Sequence, residues 1–148
     1  MKKFKVTPSQ YAKVENPLPV PSICPNCGGA VELVNNCEIY GREYGDWPFA
    51  YRCLEKTCNS YVGLHPKTDI PLGTLANKET RVARSQAKQM FLSVWEVNSL
   101  DSKNSAYRWL AEKIGIDPPQ CHFGWFGIPQ CNRVIEVCKP FVKEVKNV

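Results

Sequence analysis

The sequences Cys24-Pro25-Asn26-Cys27-Gly28-Gly29 and Cys53-Leu54-Glu55-Lys56-Thr57-Cys58 each contain two closely spaced cysteines. Thiolates with such spacing can turn toward a single ion, and the glycines after Cys27 allow the tight turn that this requires. Four thiolates form a closed tetrahedral site that favours Zn²⁺ and leaves no position for a substrate. The spacing therefore predicts one structural Zn²⁺ bound by Cys24, Cys27, Cys53 and Cys58. The alternative is four cysteines that are free or joined in disulfides.

The length and composition of the chain are those of a small globular protein. Its 148 residues fit one compact domain, or a small metal-stabilised module joined to a second small core. The charged fraction of 22% and the apolar fraction of 43% exclude wholesale disorder. The formal net charge of +5 is compatible with nucleic acid or an acidic protein as a partner, and equally with an ordinary basic surface.

The start of the chain and its cysteines indicate a cytoplasmic protein. The first residues are basic but have no apolar run behind them, so we expect no secretory signal. No stretch approaches the roughly 18 apolar residues of a membrane span, so we expect no membrane partner. Without export, eight cysteines are more typical of metal ligands and buried thiols than of disulfides. If the protein is phage encoded, the expected compartment is the host cell cytoplasm.

Changes in sequence pattern divide the chain into three parts and predict an α+β fold. Residues 1–22 are basic and proline-rich and are expected to form an extended arm. Residues 23–64 show the alternation of half-buried strands and are expected to form a small antiparallel zinc ribbon, in which Pro48 indicates an edge strand or a bulge. Residues 65–148 are expected to form a three-helix region packed with the ribbon, after a loop that extends to residue 77.

Three segments of the C-terminal part have the periodicity of amphipathic helices. The first is expected from Lys78 to about Asn98, and the second from a cap at Ser102 to a stop at Gly115. The third is expected to begin near Pro129, with Pro140 kinking or ending it. The apolar stripes that should form the core contain Ala83, Ala87, Met90, Phe91, Val94, Ala106, Trp109, Leu110, Ile114, Cys131, Val134, Ile135 and Cys138.

Residues 23–64 combine the first cysteine pair, Cys24-Pro25-Asn26-Cys27-Gly28, with an aromatic strand that leads into Tyr51-Arg52-Cys53, and with Cys58. This combination resembles the zinc ribbons at the C-termini of type IA topoisomerases. Those ribbons also have a wider second cysteine pair, and they contact single-stranded DNA. The resemblance therefore implies a single-stranded partner, and it covers only this part of the chain.

A longer resemblance rests on motifs spread over most of the chain. These motifs are Ile39-Tyr40-Gly41-Arg42, Tyr61-Val62-Gly63 followed by His65, Pro71-Leu72-Gly73-Thr74-Leu75-Ala76-Asn77, Ala106-Tyr107-Arg108-Trp109-Leu110-Ala111, and Cys121-His122. Together they resemble an uncharacterised zinc-finger-containing domain family that occurs widely in phages and prophages. The resemblance implies a phage or prophage setting and supplies no mechanism.

Further metal-ligand side chains lie outside the two cysteine pairs. His65, Cys121, His122 and Cys131 would have to converge to form a second metal site, and loop hydrogen bonds and packing are the simpler roles. His65 follows the second pair closely and is a candidate donor to a zinc-bound sulfur. Cys131 and Cys138 share a helical face with apolar residues, which favours burial of both thiols.

The sequence shows no motif of a catalytic centre. It contains no nucleophile elbow, no phosphate-binding glycine loop, no HExxH motif and no paired carboxylates around a histidine. Two histidines and a few scattered acidic residues could build a nuclease site only by a convergence that the sequence does not indicate. We therefore expect that the protein is not an enzyme.

Basic and aromatic residues are the candidates for binding a partner. Arg81, Arg84 and Lys88 share one helical face beside the apolar stripe and could follow the phosphates of a nucleic acid, although an ordinary solvated face shows the same pattern. Trp47 is one of several ribbon aromatics that could stack on unpaired bases. We predict a non-catalytic nucleic-acid-binding protein, with single strands favoured. The alternative is a protein-binding inhibitor or adaptor that acts on a host enzyme or defence system.

Overall fold

The computed structural model describes residues 3–97 and 103–146. Within them it contains a three-stranded antiparallel sheet and five α-helices, which confirms the predicted α+β class. The chain divides into two compact units, Met1–Lys78 and Glu79–Val148. In chain order the elements are α1 (Pro8–Tyr11), β1 (Val31–Asn35), α2 (Cys37–Tyr40), β2 (Phe49–Cys53), β3 (Tyr61–Gly63), α3 (Lys78–Val97), α4 (Lys103–Ile114) and α5 (Ile128–Lys146), with 3₁₀ turns at Pro118–Gln120 and Phe123–Trp125.

The sheet of the first unit has the order β1-β2-β3, so β2 is its central strand. Phe49 and Tyr51 point to one face and are buried, as the alternation of the sequence predicts. The expectation that Pro48 marks an edge strand or a bulge is wrong. Pro48 precedes the first residue of β2, so its missing N–H group removes no hydrogen bond from the ladder, while its carbonyl accepts from Asn36 N–H over 2.8 Å.

The short helix α2 contacts the second face of the sheet. On that face Arg52 lies opposite Tyr61 in the strand register. The Tyr40 ring meets the Tyr61 ring edge to face at 5.8 Å, and Glu38 pairs with Arg52 over 3.5 Å. Ala50, between these contacts and the start of the strand, is buried. A sheet of three short strands is therefore shielded from solvent on both faces, which such a small sheet needs for stability.

The N-terminal arm contains one helical turn and is joined to the rest of the first unit. The turn is α1, where Pro8 occupies the start of the helix and its fixed φ suits that position. Thr7 N–H donates to the Lys67 carbonyl over 2.7 Å, and the Tyr11 hydroxyl donates to the Asp69 carboxylate. The sequence alone predicted an extended arm, because a single turn carries no periodic signal.

Residues 65–77 lie in the first unit, whereas the sequence pattern grouped them with the helices. Leu72 N–H donates to the Gly63 carbonyl, and Tyr61 and Ala76 exchange a pair of backbone hydrogen bonds. Ile70 and Leu75 are buried. These contacts join the segment to the free edge of β3 and bury its apolar side chains, so it is part of the same core.

The second unit has a core of its own, formed by one stripe from each long helix. Phe91, Leu110 and Val134 have no exposed surface, as the helical periodicity predicts. Gly115 ends α4 in the left-handed conformation, with φ 77°, and its N–H donates to the Ala111 carbonyl over 2.9 Å. The predicted cap at Ser102 lies outside the described residues.

The last helix, α5, continues past Pro140 to Lys146, so the expectation that this proline could end the helix is wrong. Proline removes one backbone hydrogen bond and crowds the preceding turn. On either side of it, Cys138 is fully buried and the Phe141 ring packs on Trp109 at 5.3 Å. These tertiary contacts outweigh the local cost. In the part of the chain that the structure describes, no helix combines the length and the apolar character needed to cross a bilayer.

Candidate metal centre

Two turns place the four cysteines of the sequence motif. In the first turn Cys24 N–H donates to the Gly29 carbonyl over 2.8 Å, and Gly28 N–H donates to the Cys24 carbonyl over 2.8 Å. Gly28 has φ 77°, which L-residues with a side chain rarely adopt. In the second turn Cys53 ends β2, and Cys58 N–H donates to the Glu55 carbonyl over 3.1 Å. The hairpin between the turns brings both cysteine pairs to one end of the sheet.

The distances between the sulfur atoms fit a tetrahedral zinc site. Cys24 Sγ lies 3.6 Å from Cys58 Sγ, Cys27 Sγ lies 3.4 Å from Cys53 Sγ, and all four sulfurs lie within 4.8 Å of one another. Zn–S bonds of about 2.3 Å in a tetrahedron separate the sulfurs by about 3.8 Å. The cluster is thus too open for disulfides, whose sulfurs are about 2.05 Å apart, and has the right size for one structural Zn²⁺.

Gly29 lies close to the Glu55 side chain and to two of the sulfurs. A Cβ atom at this position would lie 2.7 Å from Glu55 Cγ, 3.3 Å from Cys27 Sγ and 3.4 Å from Cys53 Sγ. The Gly29 N–H also donates to Cys27 Sγ over 3.4 Å. The second glycine of the first turn therefore lets the backbone approach the metal ligands, a role distinct from the left-handed conformation of Gly28.

The thiols of the cluster differ in acidity. Burial acts to raise the pKa of the Cys24 thiol, but hydrogen bonds from the N–H groups of Asn26 and Cys27 outweigh it and lower this pKa to about 7. Burial raises the pKa of the Cys53 thiol to about 12. Four such close sulfurs cannot all carry negative charge without a cation between them. A divalent ion that prefers thiolates supplies that charge, so the electrostatics and the distances agree.

Two residues that sequence reasoning missed support this site. Asn26, between the first two ligands, donates from its side-chain amide to Ser60 Oγ over 2.9 Å. Ser60 Oγ lies 3.1 Å from Cys58 Sγ, and the residue is fully buried. Their positions inside and just after the cysteine pairs are the only sequence signal, and polar residues are common in such turns.

A comparison with protein-family models adds to this geometry. The model of a zinc-finger-containing domain matches residues 20–141, which is most of the chain. The chain belongs to this zinc-finger-containing domain family. Neither the curated proteins nor the solved structures contain a significant match. The four-cysteine cluster lies within the matched residues, so the zinc-finger-containing domain and the sulfur geometry support the same structural zinc.

A second metal site is not formed by the residues considered from sequence. Within residues 3–97 and 103–146, the structure gathers no second group of three or more potential metal ligands. Cys121 and Cys131 are buried in the helical core, where burial raises the pKa of Cys121 to about 11 and raises that of Cys131. The His122 ring packs on Trp125 at 4.2 Å. The backbone N–H of His65 donates to the Ile70 carbonyl and closes a turn. A hydrogen bond from the His65 side chain to a zinc-bound sulfur stays a prediction.

The basic row on α3 is not a uniform solvated face. Arg84 Nε donates to the Phe126 carbonyl over 2.7 Å, and burial lowers the pKa of its guanidinium. Arg81 is half-buried, and Lys88 is exposed. The side chain of Arg84 therefore spans the edge of the core to reach a loop, so the row is not an ordinary solvated face along its whole length. The role of the row in binding nucleic acid stays a prediction.

Trp47 is held in place on several sides and is half-buried. Its indole N–H donates to the Thr68 carbonyl over 2.9 Å. Its ring packs against Phe49 at 4.7 Å and Phe4 at 5.2 Å, and Lys67 Nζ lies 5.0 Å from the ring centre. The candidate stacking residue of the sequence therefore belongs to an aromatic cluster that the N-terminal arm completes.

Proposed function

We propose that this zinc-binding protein is a non-catalytic nucleic-acid-binding protein that prefers single strands. The observation that carries the proposal is a surface on the first unit, here called the arm patch, in which the exposed Phe4 ring packs on the half-buried Trp47 ring beside Lys67, and Phe4 stands between two exposed lysines in the sequence. The arm patch consists of Lys3, Phe4, Lys5, Trp47 and Lys67. Single-strand-binding surfaces combine these same elements, with positive charge along the backbone and rings on which bases stack.

The contacts of the arm patch keep its rings in a defined position. Phe4 is 37% exposed and packs on both Trp47 and Phe49, the latter edge to face at 5.1 Å. The Thr7–Lys67 backbone hydrogen bond anchors the chain three residues after Phe4. A base that stacks on Phe4 would therefore meet a ring that is already ordered, and binding would cost little side-chain entropy.

Further exposed aromatic rings lie at the end of α2 and in the loop after it, on the sheet face opposite the one that carries Phe49 and the arm patch. Tyr40 is 49% exposed and Tyr44 is 46% exposed, and the Arg42 guanidinium lies 4.3 Å from the Tyr44 ring centre. Acidic residues of the same loop, such as Glu43, oppose phosphates, so we assign the phosphate contacts to the lysines of the arm patch.

The absence of catalysis is part of the proposal and is supported by the ligand set. Four cysteines complete the coordination of a zinc ion, so the metal would offer no open position to a water molecule or substrate. The zinc then stabilises the turns that support β2 and the segment that contains Lys67. We infer a role in a phage or prophage setting from the resemblance of the sequence motifs.

Charge reversal on the arm patch tests the proposal. In the variant with Lys3, Lys5 and Lys67 changed to Glu, binding to a short single strand should be nearly abolished at moderate salt. The logarithm of the wild-type affinity should fall with the logarithm of salt concentration, with a slope of about −0.7 per phosphate contacted. Phe4→Ala should weaken binding by roughly 1–3 kcal/mol and leave that slope nearly unchanged, since it removes stacking and no charge.

A matched control makes the same charge change on the second unit. Lys88, Lys113 and Lys139 are exposed, and their change to Glu should reduce affinity only through net charge. If this control loses binding and the arm-patch variant does not, the interface lies on the helical unit and the row on α3 becomes the leading candidate. If the wild type binds neither DNA nor RNA strands at low salt, the proposed function is wrong.

A second candidate function is that of a protein-binding inhibitor or adaptor of a host enzyme or defence system. It rests on an apolar groove of about 270 Å³ in the first unit, lined by Leu18, Pro19, Pro21, Ile23, Pro25, Pro71, Gly73, Thr74 and Leu75. Ile23 is 67% exposed and Val20 is 55% exposed. Such surface is typical of protein interfaces. If the partner binds in this groove, its affinity should change little as the salt concentration rises, and binding should be lost in Ile23→Asp. If the partner binds the arm patch, its affinity should fall as salt rises and should be retained in Ile23→Asp.

A further inference from the structure

The two cysteine pairs are joined by a hydrogen-bonded connection outside the sulfur atoms. The Asn26 side-chain amide, from the first turn, donates to Ser60 Oγ over 2.9 Å and to the Leu75 carbonyl over 3.1 Å. Ser60 Oγ lies 3.1 Å from Cys58 Sγ. The Ser60 carbonyl accepts from Cys53 N–H over 2.9 Å. One buried serine is thus bonded to the asparagine of the first turn and to both ligands of the second.

The direction of these hydrogen bonds follows from the chemistry of the groups. An amide NH₂ can only donate, so Ser60 Oγ accepts from Asn26. The hydroxyl hydrogen of Ser60 is then available for the sulfur 3.1 Å away. A zinc-bound Cys58 is a thiolate and can only accept, so the hydroxyl donates to it. Hydrogen bonds to an ionised acceptor are about twice as strong as those between neutral groups.

Cys58 has particular need of this donor. Backbone N–H groups donate to the other ligands, with Gly29 N–H donating to Cys27 Sγ over 3.4 Å in the first turn and Glu55 N–H donating to Cys53 in the second. Four residues lie between the cysteines of the second pair. Within the residues that the structure describes, the group that donates to Cys58 Sγ is the Ser60 hydroxyl. Ser60 has no exposed surface, so water cannot replace its hydroxyl without a rearrangement of the turn.

We propose that Ser60 and Asn26 are positioning residues for the structural zinc, which orient the Cys58 thiolate and slow the release of the metal. Ser60 acts on the sulfur directly, and Asn26 acts through Ser60 by fixing the direction of its hydroxyl. Groups that hydrogen-bond to metal ligands in this way commonly change metal affinity by 10–100-fold when they are removed. The proposal concerns zinc retention and is independent of the partner that the protein binds.

The test compares zinc binding by full-length variants. Ser60→Ala should weaken zinc affinity by about 10–100-fold in competition with a chromophoric chelator, and should speed zinc release correspondingly. Asn26→Ala should act in the same direction with a smaller effect. Thr57→Ala is the matched control, because it removes an exposed hydroxyl from the same turn, next to Cys58. Its affinity should equal that of the wild type. In the double variant, the effects of Ser60→Ala and Asn26→Ala should be less than additive.

A spectroscopic readout separates positioning from packing. With Co²⁺ in place of zinc, loss of a hydrogen bond raises the energy of the Cys58 sulfur electrons, so the sulfur-to-cobalt charge-transfer band should move to lower energy in Ser60→Ala. Ser60→Thr keeps the hydroxyl and should restore the wild-type band. Unchanged zinc affinity in Ser60→Ala, or weaker affinity with an unmoved band, overturns the proposal. If Ser60→Ala does not fold, Asn26→Ala, at an exposed residue, must still shift the band, and the absence of that shift overturns it.

Discussion

Replacing Cys53 by serine tests whether zinc holds the first unit together. Cys53 is 3% exposed, and its sulfur lies 3.4 Å from Cys27 Sγ. A serine oxygen at this position is a poorer zinc ligand than a thiolate, so the variant retains three good ligands. Cys37→Ser is the matched control, because it makes the same change at a half-buried thiol outside the cluster.

The expected magnitude follows from the ligand count and from the size of the core. A structural zinc site contributes roughly 10–16 kcal/mol of apparent binding energy at neutral pH, or roughly 2.5–4 kcal/mol for each of four ligands. The loss of one ligand should therefore reduce zinc affinity by about two to three orders of magnitude. The main buried cluster of the first unit contains six residues, two of them ligands, namely Cys24, Phe49, Tyr51, Cys53, Leu64 and Leu75, and the other buried apolar residues described in the unit include Val34, Ala50, Ile70 and Ala76. A core of this size supplies at most about 3–5 kcal/mol, so the loss should unfold the unit.

The assay follows zinc content and the structure of each unit in the full-length chain. Cys53→Ser should lose its zinc to a chelator that the wild type and Cys37→Ser resist, and limited proteolysis should then cleave within residues 1–78. The helical circular dichroism should largely persist, because α3, α4 and α5 have 20, 12 and 19 residues and their core contains no zinc ligand. Wild-type zinc affinity in Cys53→Ser would refute the ligand assignment. Loss of the helical signal together with the zinc would refute the argument from separate cores.

Three further predictions concern other parts of the chain. Cys131→Ala and Cys138→Ala should each lower the free energy of unfolding by about 1 kcal/mol in urea titrations while zinc content stays at the wild-type value, and loss of metal from either variant would contradict the core assignment. Arg84→Met should lower the free energy of unfolding by roughly 1–3 kcal/mol, because the Phe126 carbonyl loses its hydrogen-bond donor. An unchanged free energy of unfolding would show that this hydrogen bond does not stabilise the protein. Gly29→Ala should weaken zinc binding in chelator competition, because the added methyl group would overpack against Glu55 and two sulfurs at a cost of roughly 1–3 kcal/mol, and an affinity equal to the wild type would contradict this prediction.

Several features of the molecule were readable from the sequence because they depend on local spacing. The cysteine pairs predicted one four-thiolate site, and their sulfur atoms do converge at a distance that fits zinc. The periodicity of the apolar residues predicted the three long helices and their buried stripes. Both signals repeat over a few residues along one element, where backbone geometry alone decides which side chains share a face.

Other features depend on contacts between residues distant in sequence, and only the tertiary structure decided them. Arg84 has the position of a solvated residue on its helix, but the loop that contains Phe126 turns back to meet it. Asn26 and Ser60 are unremarkable turn residues until the hairpin brings the two cysteine pairs together. Trp47 became part of a packed cluster because Phe4, 43 positions earlier, lies on its ring. Sequence spacing carries no information on such pairings, since they depend on the path of the whole chain.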